Sequence, residues 1–289
     1  MAALTQFSLL SHPYEELVPV TGGQGELRSA ARFPGSALIW TMSEGDHTKS
    51  QAWVAARPGG LALIAILPRA SDVNADPDLI QAVQQCRPLG LLPHHTGPVP
   101  RDLAQVLRRP PLDLAADIAD YLVWRGLLVD RDTIHLVRRI IELSAEVRSI
   151  SALSRRLYLS RRALGRHLLN RGLPVPSHWL QLARLLRLVA RLQNSDANII
   201  SIAYEFGYPD GFSVSNQMHR LIGYRPTQAR EYLGWEWIFE AWLRREAEGD
   251  GLALDVTRAI RGGGEPPRRP PTFSPVTRAK RPKRRRPLV

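Results

Sequence analysis

The chain has 289 residues, a formal net charge of +12, 44% hydrophobic residues and a single cysteine. That length accommodates two domains with a buried core, and the lone Cys86 excludes an internal disulfide framework and fits a reducing compartment. No apolar run is long enough to span a membrane, and the opening Met1-Ala2-Ala3-Leu4-Thr5-Gln6 lacks the basic-then-apolar layout of a secretory signal, so none is expected.

The charge is unevenly placed. Residues 1–147 hold 13 Lys/Arg against 16 Asp/Glu, whereas residues 148–234 hold 13 Arg against 4 acids. Residues 235–261 are slightly acidic and residues 262–289 carry a net +8. An Arg-rich segment on a near-neutral background is the footprint of a phosphate-binding module, although charge alone equally describes solvated helix faces.

In chain order, residues 1–35 are hard to read. Ser36-Ala-Leu-Ile-Trp-Thr41 reads as a buried strand and Ser50 to Arg57 as a short helix ending before Pro58-Gly59-Gly60. Leu61 to Leu67 is a second buried strand, stopped by Pro68. A helix is predicted over Pro77–Gln85 with Asp76 as N-cap. Leu89 to Leu92 gives a third strand and Pro100 to Arg108 another helix. Fully apolar strands alternating with helices predict a parallel sheet in a small α/β domain. From Leu112 the pattern is helical throughout: 113–125, then 132–147 with Ile134, Val137, Ile141 and Leu143 on one face. This pair reads as a packing connector.

The stretch from Ser149 to Arg230 states one pattern twice: a short apolar helix, a tight turn, and a second helix bearing polar or basic residues. That is the layout of a helix-turn-helix, whose second helix enters the DNA major groove. In the first copy, residues 151–157 form the supporting helix, Tyr158-Leu159 the turn, and Ser160 the cap of the next helix. Arg161, Arg162 and Arg166 project from that helix, with Ala163, Leu164, Leu168 and Leu169 toward the core. Arginine can take guanine O6 and N7 bidentately or merely neutralise phosphate. Arg161, nearest the helix start, is assigned to phosphate, and Arg162 and Arg166 to bases.

Residues 177–193 form a linking helix with Trp179, Leu182, Leu186 and Val189 at helical spacing. In the second copy, 199–205 is the supporting helix, Phe206-Gly207-Tyr208 the turn and Asp210 the cap. The following helix offers Ser213, Ser215, Asn216, Gln217 and Arg220, with His219 beside them, while Met218, Leu221 and Ile222 read as core. Asn and Gln suit adenine. Thr227 is read as the cap of the next helix, and residues 231–248 as one helix whose Trp235, Trp237, Phe239 and Trp242 pack on the body. The segment from Gly262 is Gly-, Pro- and Arg-rich and reads as a disordered basic tail.

The spacing Ile202-Ala203, Phe206-Gly207-Tyr208, Asp210, Ser215, Arg220, Gly223, Arg225-Pro226 and Arg230, with Leu153, Leu159-Ser160, Leu164 and Arg166 upstream, resembles the C-terminal signature of the AraC/XylS family of bacterial transcription regulators. The resemblance covers roughly residues 148–232. It implies an all-helical domain that places two recognition helices in successive major-groove segments. This chain departs from it at Val214 and Met218, where an aromatic is common, at Asn216, where a basic residue is common, and at Gly165, where a DNA-contacting residue is common.

The front third does not alternate like the β-barrel that often precedes this domain. Its order loosely resembles a response-regulator receiver, but Met42-Ser43-Glu44 and Pro68-Arg69 supply no phosphoacceptor Asp, and Leu92-Pro93-His94 lacks the strand-end Lys. His94-His95 has no visible metal partners, and Cys86 no visible catalytic partners. The expectation is therefore a mostly α protein. Residues 1–111 form an α/β regulatory domain, receiver-like but without a phosphoacceptor, and 112–147 a helical connector. Residues 148–248 form an all-α double helix-turn-helix DNA-binding domain with a C-terminal helix, and 249–289 a tail. Double-stranded DNA is the expected partner and RNA polymerase a further one; the sequence does not name the effector or protein that the front domain meets. No cofactor, metal, catalytic residue or membrane contact is expected, and the location is cytoplasmic. The alternative is a helix-turn-helix fold that binds protein and does not read DNA.

Overall fold

In the computed structural model the described residues are 6–21, 23–43, 47–68, 77–94, 99–128, 130–249 and 251–252. The front unit is built on a sheet of five strands, β1 (Phe7–Leu10), β2 (Val18–Pro19), β3 (Ala37–Thr41), β4 (Ala62–Ile66) and β5 (Gly90–Leu92), in the order β2-β1-β3-β4-β5. Strands β3, β4 and β5 are parallel, with Ile39 opposite Ile64 and Ile64 opposite Gly90. The wholly parallel sheet expected from sequence is not found: β1 runs antiparallel to β3, with Ser8 opposite Ile39, and β2 antiparallel to β1. The short strands before residue 35 carry too few alternating residues to announce themselves.

Helices α1 (Gln24–Ala30), α2 (His47–Ala55) and α3 (Pro77–Cys86) cover one face of the sheet, where Leu38, Trp40, Leu63 and Ala65 meet Leu27, Val54, Leu79 and Cys86. The other face presents Leu10, Ile39, Ile64 and Ile66 to Leu103 and Leu107 of α4 (Pro100–Arg108) and to Leu233 from far along the chain. Burial on both faces is why β3 and β4 are uninterrupted apolar runs. Asp76, the expected cap of α3, lies outside the described residues.

The rest is helical. Helices α5 (Leu114–Trp124), α6 (Arg131–Leu143), α7 (Ile150–Arg156), α8 (Arg161–Asn170), α9 (Pro176–Gln193), α10 (Ile199–Glu205), α11 (Gly211–Ile222), α12 (Pro226–Glu231) and α13 (Glu236–Glu248) contribute to one continuous apolar core. The α5–α6 pair enters that core through Ile118, Leu122, Val137 and Ile141. The helix predicted over 231–248 starts later: Glu231 is the last residue of α12, and Gly234, at φ 88°, turns the chain before α13 begins at Glu236. Pro226 begins α12, so Arg225 stands at its N-cap instead of Thr227, and the Arg225 N–H donates to Gln228 Oε1 at 2.9 Å.

Front unit and helical body are joined by buried and part-buried polar contacts. Tyr121 Oη accepts from the Gly60 N–H at 2.8 Å and donates to Glu240 Oε2 at 2.8 Å, while Arg125 reaches Glu240 Oε1 at 3.0 Å. Arg87 bonds Glu236 of α13 and donates to the Asp117 carbonyl of α5. Tyr14 Oη donates to the Gly35 carbonyl and accepts from the Leu233 N–H at 2.8 Å, and its burial pushes the phenol up to about 12. Arg57 is fully enclosed, donating to the carbonyls of Leu61, Cys86 and Arg87 and lying 4.1 Å from the Trp124 ring; burial lowers its guanidinium to about 10.

Candidate nucleic-acid interface

Two helix pairs, α7–α8 and α10–α11, stand at either end of α9. At 18 residues α9 is about 27 Å long. Each pair turns through a residue in the left-handed region, Tyr158 at φ 54° and Gly207 at φ 74°. At Gly207 the backbone also passes against the Arg148 guanidinium, where a Cβ would collide. Both second helices are capped alike. Ser160 Oγ accepts from the Ala163 N–H at 3.0 Å, and Asp210 Oδ1 from the Ser213 N–H at 2.6 Å. The latter bond holds the Asp210 carboxyl below its ordinary range. Leu164 and Leu168 of α8 and Val214 and Met218 of α11 turn inward, which fixes the register of both helices on the core.

Arg161, Arg162 and Arg166 are exposed on α8, and among the described residues none of the three has an ion-pair or hydrogen-bond partner. Other arginines of the segment are tied into the structure: Arg187 to Ser144 Oγ and the Ile141 carbonyl, Arg230 to the Ala197 carbonyl, Arg191 to Glu205, Arg156 to Glu146. Leu169, expected in the core, lies outward at 48% exposure, because it falls on the Arg162–Arg166 stripe.

On α11 the expected residues divide. Asn216 is exposed, and Ser213 and Gln217 are half-buried beside it. Ser215 donates its hydroxyl to the Gly211 carbonyl at 3.1 Å, and Arg220 bonds Gln181 Oε1 of α9 at 3.0 Å, so both are engaged within the protein. Phe212, absent from the candidates read from sequence, is 73% exposed at the start of α11. The signal was present: counted from the two caps, Phe212 is the counterpart of Arg162.

The family model described as a helix-turn-helix domain matches residues 153–232, from within α7 to the end of α12. Residues 153–232 are an AraC/XylS-type helix-turn-helix domain. No curated protein and no solved structure matches the chain. The matched segment ends before α13, which packs on α9 and α11.

Among the described residues no helix is long and apolar enough to cross a membrane, and no three His, Cys, Asp or Glu residues cluster as metal ligands. His95 and the basic tail lie outside the described residues. Cys86 is buried under the sheet with its thiol directed at the Gln51 carbonyl at 3.4 Å, and burial pushes it up to about 11.

Proposed function

We propose that this chain is a sequence-specific DNA-binding transcription regulator whose two helix pairs act as two helix-turn-helix units in successive major-groove segments. The observation that carries the reading is the unpaired Arg161–Arg162–Arg166 face of α8. Like charges at i and i+4 repel, and cations in the first turn of a helix oppose its dipole. A fold that keeps three such residues without a single acid gains from them only when a polyanion arrives. In this reading Arg161 holds phosphate, and Arg162 and Arg166 address guanine. Ser213, Asn216 and Gln217 face bases in the second segment, while Ser215 and Arg220 support their helix.

The α/β front unit serves as the regulatory module, receiver-like in strand order but without a phosphoacceptor, and RNA polymerase is the natural second partner. An enzymatic role is not part of the proposal: a thiol held near 11 is protonated at neutral pH and is a poor nucleophile. The reading carries with it a cytoplasmic location, where the resemblance to bacterial regulators would put it.

The test is a duplex selected from a random pool, with binding measured at fixed salt. Arg162→Ala and Arg166→Ala are each expected to weaken binding to it about 5- to 150-fold without loss of folding. Parent-like binding by both variants would overturn the assignment. Capture of random DNA with no preferred site would favour the protein-binding alternative.

A further inference from the structure

The two caps give an internal alignment. Ser160 and Asp210 each bond the N–H three residues on, so α8 and α11 start at equivalent points. Arg162 then corresponds to Phe212 and Arg166 to Asn216, and the inward positions agree, Leu164 with Val214 and Leu168 with Met218. The base-facing position that the first helix fills with a cation is filled in the second by an aromatic ring. The ring is 73% exposed, with no aromatic or cationic contact to another described residue. At the start of a recognition helix, where side chains meet base edges, an apolar group has one counterpart in the major groove: the C5-methyl of thymine.

We infer that Phe212 is a specificity residue of the second unit, reading thymine through its methyl group. The inference rests on the DNA-reading proposal above. Residues at i and i+4 stand about 5–6 Å apart, and stacked bases about 3.4 Å, so Phe212 and Asn216 address positions one or two base pairs apart. Asn216 pairs with adenine through N6 and N7, and Phe212 packs on a neighbouring thymine. The two half-sites therefore differ in kind. The first is guanine-bearing and read by charge; the second is A·T-rich and read by shape and a methyl contact, with little dependence on salt.

The experiment uses the full chain and the selected duplex. Each thymine is replaced in turn by uracil, which keeps Watson–Crick pairing and removes only the methyl. Arg162→Ala marks the first half-site by the guanine whose replacement it renders harmless. In the other half-site, one or two thymine-to-uracil changes are expected to weaken parent binding about fourfold, the worth of one buried methyl. The same changes should cost Phe212→Ala less than about 1.5-fold, since that variant has already lost the contact. Phe212 is exposed, so its replacement leaves the fold intact, which a thermal unfolding curve checks. If uracil is tolerated at every position, or weakens parent and Phe212→Ala equally, the inference fails while the DNA-reading proposal stands. The exposed Ile200, Tyr204 and Phe212 would then be a protein-facing surface. If the pool yields no preferred sequence, both readings fail.

Discussion

Arg161 and Arg162 occupy the first turn of α8, where the unsatisfied N–H groups already present positive potential and where no acidic residue lies. A helix selected for stability alone would place Asp or Glu there. Arg162→Glu is therefore expected to move two properties in opposite directions. Thermal unfolding should show about 0.3–1 kcal/mol of added stability at low salt, while affinity for the selected duplex collapses. A variant that loses both together would mean that Arg162 is part of the fold. The arginine face, the caps of α8 and α11 and most of the inward leucines were legible in the sequence, because each depends on spacing within a few residues; the cap of α12 was misread as Thr227. Leu169 and Phe212 were not: hydrophobicity assigned the first to the core and passed over the second, although helical phase puts both on the outer surface with Arg162, Arg166 and Asn216.

The elements owe their placement to a few buried polar residues as much as to apolar stripes. Gln193, the last residue of α9, directs Nε2 at the carbonyls of Ala229 at 3.0 Å, Tyr232 at 2.7 Å and Gly234 at 3.3 Å. Those carbonyls belong to the end of α12 and the turn before α13, so one amide holds three segments. Removing it leaves buried acceptors without donors, at about 1–3 kcal/mol. Gln193→Ala should accordingly lower stability by about 2 kcal/mol in urea unfolding; a loss below about 0.5 kcal/mol would show that water or a shifted turn replaces the amide. This contact also bears on why the helix predicted over 231–248 starts only at Glu236. The sequence pattern from Glu231 onward is helical enough to continue, but the carbonyls of Tyr232 and Gly234 are committed to Gln193, and Gly234 adopts a conformation that ends helical pairing. Such a long-range commitment leaves no local trace. The capped helices α7, α8, α10 and α11 are decided locally, and their outlines were readable for that reason.

At the scale of the whole molecule, α13 is the piece that connects the front unit to the two helix pairs. It lies beyond the matched segment in sequence, yet its Glu236 bonds Arg87 of the front unit and its Glu240 holds Tyr121, which takes the Gly60 N–H, and its other side packs on α9 and α11. The sequence marked its aromatic residues as packing but gave no hint of what they pack against: Trp242 meets Trp179 of α9, and Trp235 and Phe239 meet Tyr121 of α5, more than a hundred residues away. Glu240 is 2% exposed and Arg125 5%, so the pair is shielded from salt and costly to break on one side only. Burial alone pulls the Arg125 guanidinium down, but the Glu240 carboxylate and the Tyr121 hydroxyl together hold the group above its ordinary value. The Gly59-Gly60 turn leaves no slack either, because a side chain at Gly59 would fall on the Glu240 carboxylate and Arg125 Nε. Glu240→Ala leaves an enclosed cation uncompensated and strands the Tyr121 hydroxyl, and is expected to cost about 3–5 kcal/mol in denaturant unfolding. Glu240→Gln keeps the shape and one acceptor and should lose less. If the front unit regulates DNA reading through this contact, the surviving Glu240→Gln protein should bind the selected duplex with an affinity different from the parent's, with Arg162 and Arg166 still required. Unchanged affinity together with reduced stability would assign the Glu240 cluster to folding and send the search for the regulatory route to other polar ties between front unit and body, such as Arg87–Glu236, Arg108–Asn194 and Tyr14–Leu233.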